Sequence, residues 1–114
     1  MVRGRVIATK TVSTMPKYET MIHGVDFMIQ EEERRYPVLM GFYVNVYSER
    51  ESPEAAKSDA VAVVRSCKRL RDVTKNQSDN PPRLLVEEIA ELTDWPEDCV
   101  RPMSGLILYE PDPE

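Results

Sequence analysis

Histidine occurs once in 114 residues, tryptophan once, cysteine twice and glycine four times. Each scarcity excludes a class of chemistry. With His23, Cys67 and Cys99 as the whole supply of imidazole and thiol, a zinc site built from several His or Cys ligands cannot be assembled. The two cysteines form no CxxC pair and are too few for a disulfide scaffold, so both are read as reduced thiols in a cytoplasmic protein with no disulfide. Gly4, Gly24, Gly41 and Gly105 are too scattered to write a P-loop or a dinucleotide fingerprint, and no nucleotide cofactor of those types is expected. No apolar run approaches the roughly 18–20 residues of a membrane span. Near the N-terminus the apolar stretch is only Val6 to Ala8, short of the about 7–15 residues of a secretory h-region.

Hydrophobic residues make up 41% of the chain and charged residues 31%, a globular balance. The length fits one α+β domain over residues 1–110, with 111–114 a frayed acidic tail. The formal charge is −5 and the sequence pI about 5.0, which argues against coating nucleic acid by bulk positive charge. The charge is unevenly spread. Residues 87–114 carry nine acids against Arg101 alone, a balance of −8, while residues 1–86 carry fourteen bases and eleven acids, a balance of +3. Such an acidic end can steer a basic partner or the basic face of another copy; the plainer reading is solubility.

Residues 2–12 are rich in β-branched side chains, with Val2, Val6, Ala8 and Val12 on one parity, and read as a strand. Residues 17–35 support two readings. Val25, Met28, Ile29 and Glu32 have helical spacing, while a His23-Gly24 turn would make a hairpin or an irregular segment, which is favoured. Residues 36–48 form the clearest strand, with Phe42, Val44 and Val46 on one face and Tyr43, Asn45 and Tyr47 on the other. Residues 53–75 read as one long helix: Ser52 caps it, Pro53 opens it, and Ala56, Ala60, Val63, Cys67, Leu70 and Thr74 make an inner stripe. Residues 83–92 support two readings: a helix with Leu85, Ile89 and Leu92 on one stripe, starting near Asn80-Pro81, or a strand, which is chosen although Glu88 spoils the parity of Leu84, Val86, Ala90 and Leu92. Gly105 to Tyr109 is a short final strand. The expected architecture is a two-layer sandwich, loosely ferredoxin-like: a mostly antiparallel sheet of four or five strands with the 53–75 helix on one face.

Candidate chemistry is sparse. A nucleophilic Cys–His mechanism would need His23 with Cys67, which the stripe places in the core, or with Cys99, beside Glu97 and Asp98 that disfavour a thiolate. Glu87, Glu88, Glu91, Asp94, Glu97 and Asp98 could serve acid–base work or hold a divalent cation, but Asp94 to Asp98 lacks the Asp/Asn series and Gly of an EF-hand. Arg65, Lys68, Arg69, Arg71 and Lys75 could touch nucleic-acid phosphates, or simply complement a helix dipole. If the helix covers Phe42, Val44 and Val46, Tyr43 and Tyr47 look outward; with Trp95 they are the candidate partner-binding residues. The sequence therefore points to a non-enzymatic interaction or regulatory domain with a protein partner or a second copy as a homodimer, with no catalytic residues and no metal. A carboxylate enzyme or cation site at 87–98 and weak nucleic-acid binding are the alternatives.

Overall fold

The computed structural model describes residues 15–111. The strand expected over 2–12 and all but the first residue of the expected tail lie outside them. The described chain runs β1 (Lys17–Ile29), β2 (Val38–Glu49), α1 (Pro53–Arg65), α2 (Lys68–Val73), β3 (Arg83–Leu92) and β4 (Ile107–Tyr109). The four strands form one antiparallel sheet in the order β3-β1-β2-β4. The α+β class and the antiparallel sheet are as expected. The element order β-β-α-α-β-β is not the β-α-β-β-α-β order of a ferredoxin-like fold.

β1 corrects the reading of residues 17–35. It is neither a helix nor a hairpin, and His23-Gly24 lies in mid-strand. Tyr18, Thr20 and Ile22 face the core; an irregularity between Gly24 and Phe27, with Asp26 at φ 62°, then shifts the parity so that Phe27 and Ile29 also point inward. This one-residue slip broke the alternation and imitated helical spacing. Gly24 is required on the inner face, because a Cβ there would collide with the Phe42 ring. β2 pairs with β1 along its whole length and buries Met40, Phe42, Val44 and Val46. β3 carries a second irregularity, between its pairings with Met21 and Ile22, which makes Glu87 an extra residue. Leu84 and Val86 before it, and Ile89 after it, lie opposite inward-facing residues of β1, while Glu88, Ala90 and Leu92 lie opposite outward-facing ones, so the expected single parity of Leu84, Val86, Ala90 and Leu92 is split by the bulge.

The helical stretch 53–75 is two helices. α1 begins as expected: the Ser52 hydroxyl accepts from the Ala55 amide at 3.1 Å, and Pro53 needs no partner for a missing N–H. It stops at Ser66, whose hydroxyl donates back to the Ala62 carbonyl and whose amide is shared between Ala62 and Val63. Cys67 is extended, with ψ 114°, and starts α2. The break has a use. It brings Val73 to Lys75 beside the end of β1, where the Gln30 amide donates to the Val73 carbonyl at 2.9 Å and the Lys75 amide to the Met28 carbonyl at 2.7 Å. A continuous rod could not make this short pairing. Ala56, Ala60 and Val64 are the buried stripe of α1, and the two alanines let the helix lie close on β1 and β2. The expected inner stripe holds at Ala56, Ala60 and Leu70, but Val64 is buried where Val63 was expected, and Val63 and Cys67 are only half-buried, so Cys67 is not sealed in the core. Ile22, Phe27, Ile29, Met40, Phe42, Val44, Val46, Ala60, Val64 and Leu70 form the core between the layers. Burying each of the large side chains contributes about 1.5–3 kcal/mol.

Candidate functional site

With α1 and α2 on one side, the alternation of each strand sends its remaining side chains to the opposite face of the sheet, called here the outer face. β1 contributes Glu19, Met21 and His23, β2 contributes Tyr43, Asn45 and Tyr47, β3 contributes Leu85 and Glu88, and β4 contributes Ile107 and Tyr109. Two aromatic groups stand on this face, one at each end.

The first is built on His23. Its register partner Tyr43 stacks on the imidazole with centroids 4.3 Å apart and planes at 12°. The Tyr109 ring reaches across from β4 over Gly41, its own register partner, and places its hydroxyl 2.6 Å from His23 Nε2. Only glycine allows that crossing, since a Cβ on Gly41 would collide with the Tyr109 hydroxyl end. On the other side, the β3 bulge aims Glu87 at His23 Nδ1, 3.1 Å away. An ionised carboxylate only accepts, so the hydrogen-bond inventory assigns the proton to Nδ1, which donates to Glu87, while Nε2 accepts from the Tyr109 hydroxyl. Burial, with Tyr43 and Glu87 nearby, pushes the Tyr109 phenol above its usual range. The array Glu87–His23–Tyr109 thus ties β3, β1 and β4 together across the sheet.

The second group is built on Trp95, in the connection from β3 to β4. Its indole meets the Tyr47 ring edge-on at 6.0 Å, under Arg101 at 4.8 Å and Lys17 at 5.8 Å. The Tyr47 hydroxyl donates to Glu19 at 3.2 Å, and burial together with the Glu19 charge raises its pKa. The connection then runs along β2: the Tyr47 amide donates to the Pro102 carbonyl and the Ser104 amide to the Asn45 carbonyl, while the Asn45 amide donates to the Ser104 hydroxyl.

The expected partner-binding residues therefore share one face. Tyr43 belongs to the His23 group and is 38% exposed. Tyr47 and Trp95 form the other group and are half-buried against each other. Lys17–Ile29 lies in the sheet beside β2 and so does not cover the tyrosines. Sequence reasoning missed Tyr109 as a partner of His23. The available signal was parity, since in a strand reading His23 falls opposite in phase to Ile22 and Tyr18 and so points outward with Tyr43.

The other candidate chemistries fare differently. Two cavities among the described residues are not lined by His23. One, of about 1140 Å3, lies between the β1–β2 connection and α2; the other, of about 520 Å3, lies between the end of α1 and Pro102-Met103 and is lined by Cys67. Among the described residues no three His, Cys, Asp or Glu side chains converge as a metal site would require. The acidic residues of β3 diverge: Glu87 and Glu88 sit on the outer face, while Glu91 pairs opposite the inward-facing Tyr18. The basic stretch is split by the break at Ser66-Cys67. Lys68 bonds Asp72 at 2.7 Å, which holds that carboxyl below its usual range, and Arg69 lies 3.7 Å from Glu31. Comparison with protein-family models, curated proteins and solved structures gives no match.

Proposed function

We propose that this chain is a non-enzymatic interaction domain that docks a basic protein segment on the outer face of its sheet. The observation that carries the reading is the pair of aromatic groups, Tyr43–His23–Tyr109 and Tyr47–Trp95, standing on a face that no helix of the described chain covers. Tyrosine and tryptophan anchored by their neighbours bury much area at little entropic cost, which is why such residues dominate interface energetics. The charge around them selects the partner. Glu88 forms no ion pair among the described residues, and the β3–β4 connection carries Asp94, Glu97 and Asp98 against Arg101. A single-stranded nucleic acid would also stack on aromatic rings, but this acidic surround repels its phosphates. The two free thiols support a reducing, cytoplasmic setting.

Trp95 is the sole tryptophan, so its emission reports on the face directly. The test titrates the protein with a basic peptide alternating Arg or Lys with Leu or Tyr, with its Glu-substituted counterpart, and with a single-stranded oligoribonucleotide. A saturable Trp95 response to the basic peptide, weakened at least about tenfold by Tyr43→Ala or Tyr47→Ala and by added salt, is expected. No response to the basic peptide, an equal response to the acidic one, or a response to the oligonucleotide would overturn the reading. Sedimentation without peptide tests the second copy as occupant: concentration-dependent association abolished by Tyr43→Ala would replace the basic partner with a homodimer.

A further inference from the structure

β3 is a ten-residue edge strand, paired with β1 on one side and with no strand on the other among the described residues. An open edge of this length is a template for a further strand. Its first half is apolar and open: Leu85 is 38% exposed, and Val86, opposite the inward-facing Ile22, is still 36% exposed. We propose that two copies of this chain associate through this edge, β3 pairing antiparallel with β3 of the second copy about a two-fold axis at Leu85. The two four-stranded sheets then continue as one. This does not rest on the outer-face reading, since the pairing uses the side of the sheet and leaves the rings of both copies uncovered.

The self-complementarity of residues 83–87 carries the proposal. Residues directly opposite each other across an antiparallel pair share a face. On β3, Leu85 and Glu87 lie on the side of His23, and Arg83 shares their parity with Leu85, while Leu84 and Val86 lie on the side of Gly24 and Ile22. A two-fold at Leu85 sets Leu85 against Leu85, Leu84 against Val86, and Arg83 against Glu87. Symmetry makes the last two pairings twice. Apolar meets apolar on both faces, and opposite charges meet at both ends.

Neighbouring registers lose this match. A two-fold at Val86 sets Leu85 against Glu87, one at Leu84 sets Arg83 against Leu85, and one at Glu87 sets glutamate against glutamate. A shift by a single residue between the strands would bring the outer-side Leu85 opposite an inner-side residue. The ladder also has a natural end. Beyond Glu87 the strand faces Pro82 and Pro81 of the second copy, which have no N–H to donate, so Glu88 and Glu91 lie past the paired stretch.

Both charges are placed to serve. Arg83 holds Asp26 at 3.1 Å through one terminal nitrogen, and Glu87 holds His23 at 3.1 Å through one oxygen. The rest of the guanidinium fork and the second carboxylate oxygen are available to a partner, and both side chains are open to solvent.

Sedimentation over about 5–500 μM protein tests the proposal, and a monomer–dimer equilibrium within that range is expected. Arg83→Glu sets like charges together at both ends and should weaken association at least about tenfold. Adding Glu87→Arg exchanges the signs of both pairs and should recover most of it, with Trp95 emission showing that the fold is kept. Tyr43→Ala, away from the edge, should leave association unchanged. Cysteine substitutions test the register without touching the Glu87–His23 bond. On mild oxidation Leu85→Cys should cross-link to its own counterpart, whereas Leu84→Cys and Val86→Cys should cross-link to each other when mixed. A chain that stays monomeric through the range, association indifferent to Arg83→Glu, or no recovery in a folded double variant would overturn the proposal. So would Leu84→Cys or Val86→Cys cross-linking to itself more readily than Leu85→Cys does. Association lost with Tyr43→Ala would overturn it in favour of a contact through the outer face.

Discussion

The Thr20 hydroxyl is buried, opposite Val46, with no hydrogen-bond partner among the described residues. A buried hydroxyl without a partner keeps its full desolvation cost, while its methyl group packs normally. Thr20→Val, which keeps the shape and removes the orphan, should therefore raise stability by about 1 kcal/mol, read as a higher denaturant midpoint at unchanged slope. The tyrosines make a second prediction at this scale. Tyr18, Tyr47 and Tyr109 all have phenol pKa values raised from 10.0, each chiefly by burial. The unfolded chain therefore releases these protons at lower pH than the fold does. Their contribution is fully present below pH 10 and is lost as the pH climbs above it, so unfolding followed at Trp95 should show stability falling steeply past pH 10. A midpoint that stays level through that range would show the phenols to be as free in the fold as in the unfolded chain.

At the scale of the element, the α1 seal and the two bulges decide what was readable. Ala60 is fully buried between α1 and the sheet, so Ala60→Asp places an unpaired charge there and should cost on the order of 3–5 kcal/mol by chemical denaturation. That face was legible because Ser52, Pro53 and the small residues at helical spacing all agree. β2 was equally legible, since Phe42, Val44 and Val46 alternate without interruption. β1 was not, because its shift at Val25-Asp26 turns one strand into two half-patterns of opposite parity, and no local residue announces that. β3 showed its bulge only as the misplaced Glu88. The end of the long helix was hidden too, because the stripe continues in residue type through Cys67 and Leu70 while the backbone turns. That turn depends on side-chain bonding from Ser66 and on the pairing of Val73 to Lys75 with β1, a contact between residues far apart in sequence. Asn76 completes it: its side-chain Oδ1 accepts from the Met28 amide at 2.9 Å, and its Nδ2 donates to the Asp26 carbonyl at 2.8 Å and to that of Asn80 at 2.9 Å. It stands in for a strand where β3 has not yet begun. Asn76→Ala removes these bonds and should destabilise by about 2 kcal/mol, with faster amide exchange at Met28 as its local signature.

At the scale of the whole molecule, the division is between a face closed by α1 and α2 and a face carrying rings. The sequence placed Tyr43 and Tyr47 on the same side and Trp95 in the following loop, so half of the candidate site could be read from strand parity. The rest depends on tertiary geometry. The bulge at Glu87, the small size of Gly41 and the approach of the short β4 together turn an isolated histidine into the centre of a four-strand array. The bonds of His23 to the Glu87 carboxylate and the Tyr109 phenol hold the three-residue β4 in place. The acidic connection beside Trp95 gives the open face its sign.

Residue-resolved NMR during titration with the basic peptide tests this arrangement most directly. The account predicts shift changes gathered at His23, Tyr43, Tyr47 and the Trp95 indole, with Ala56 to Leu70 unmoved. Changes centred on the helices, or none at peptide concentrations up to the millimolar range, would contradict it.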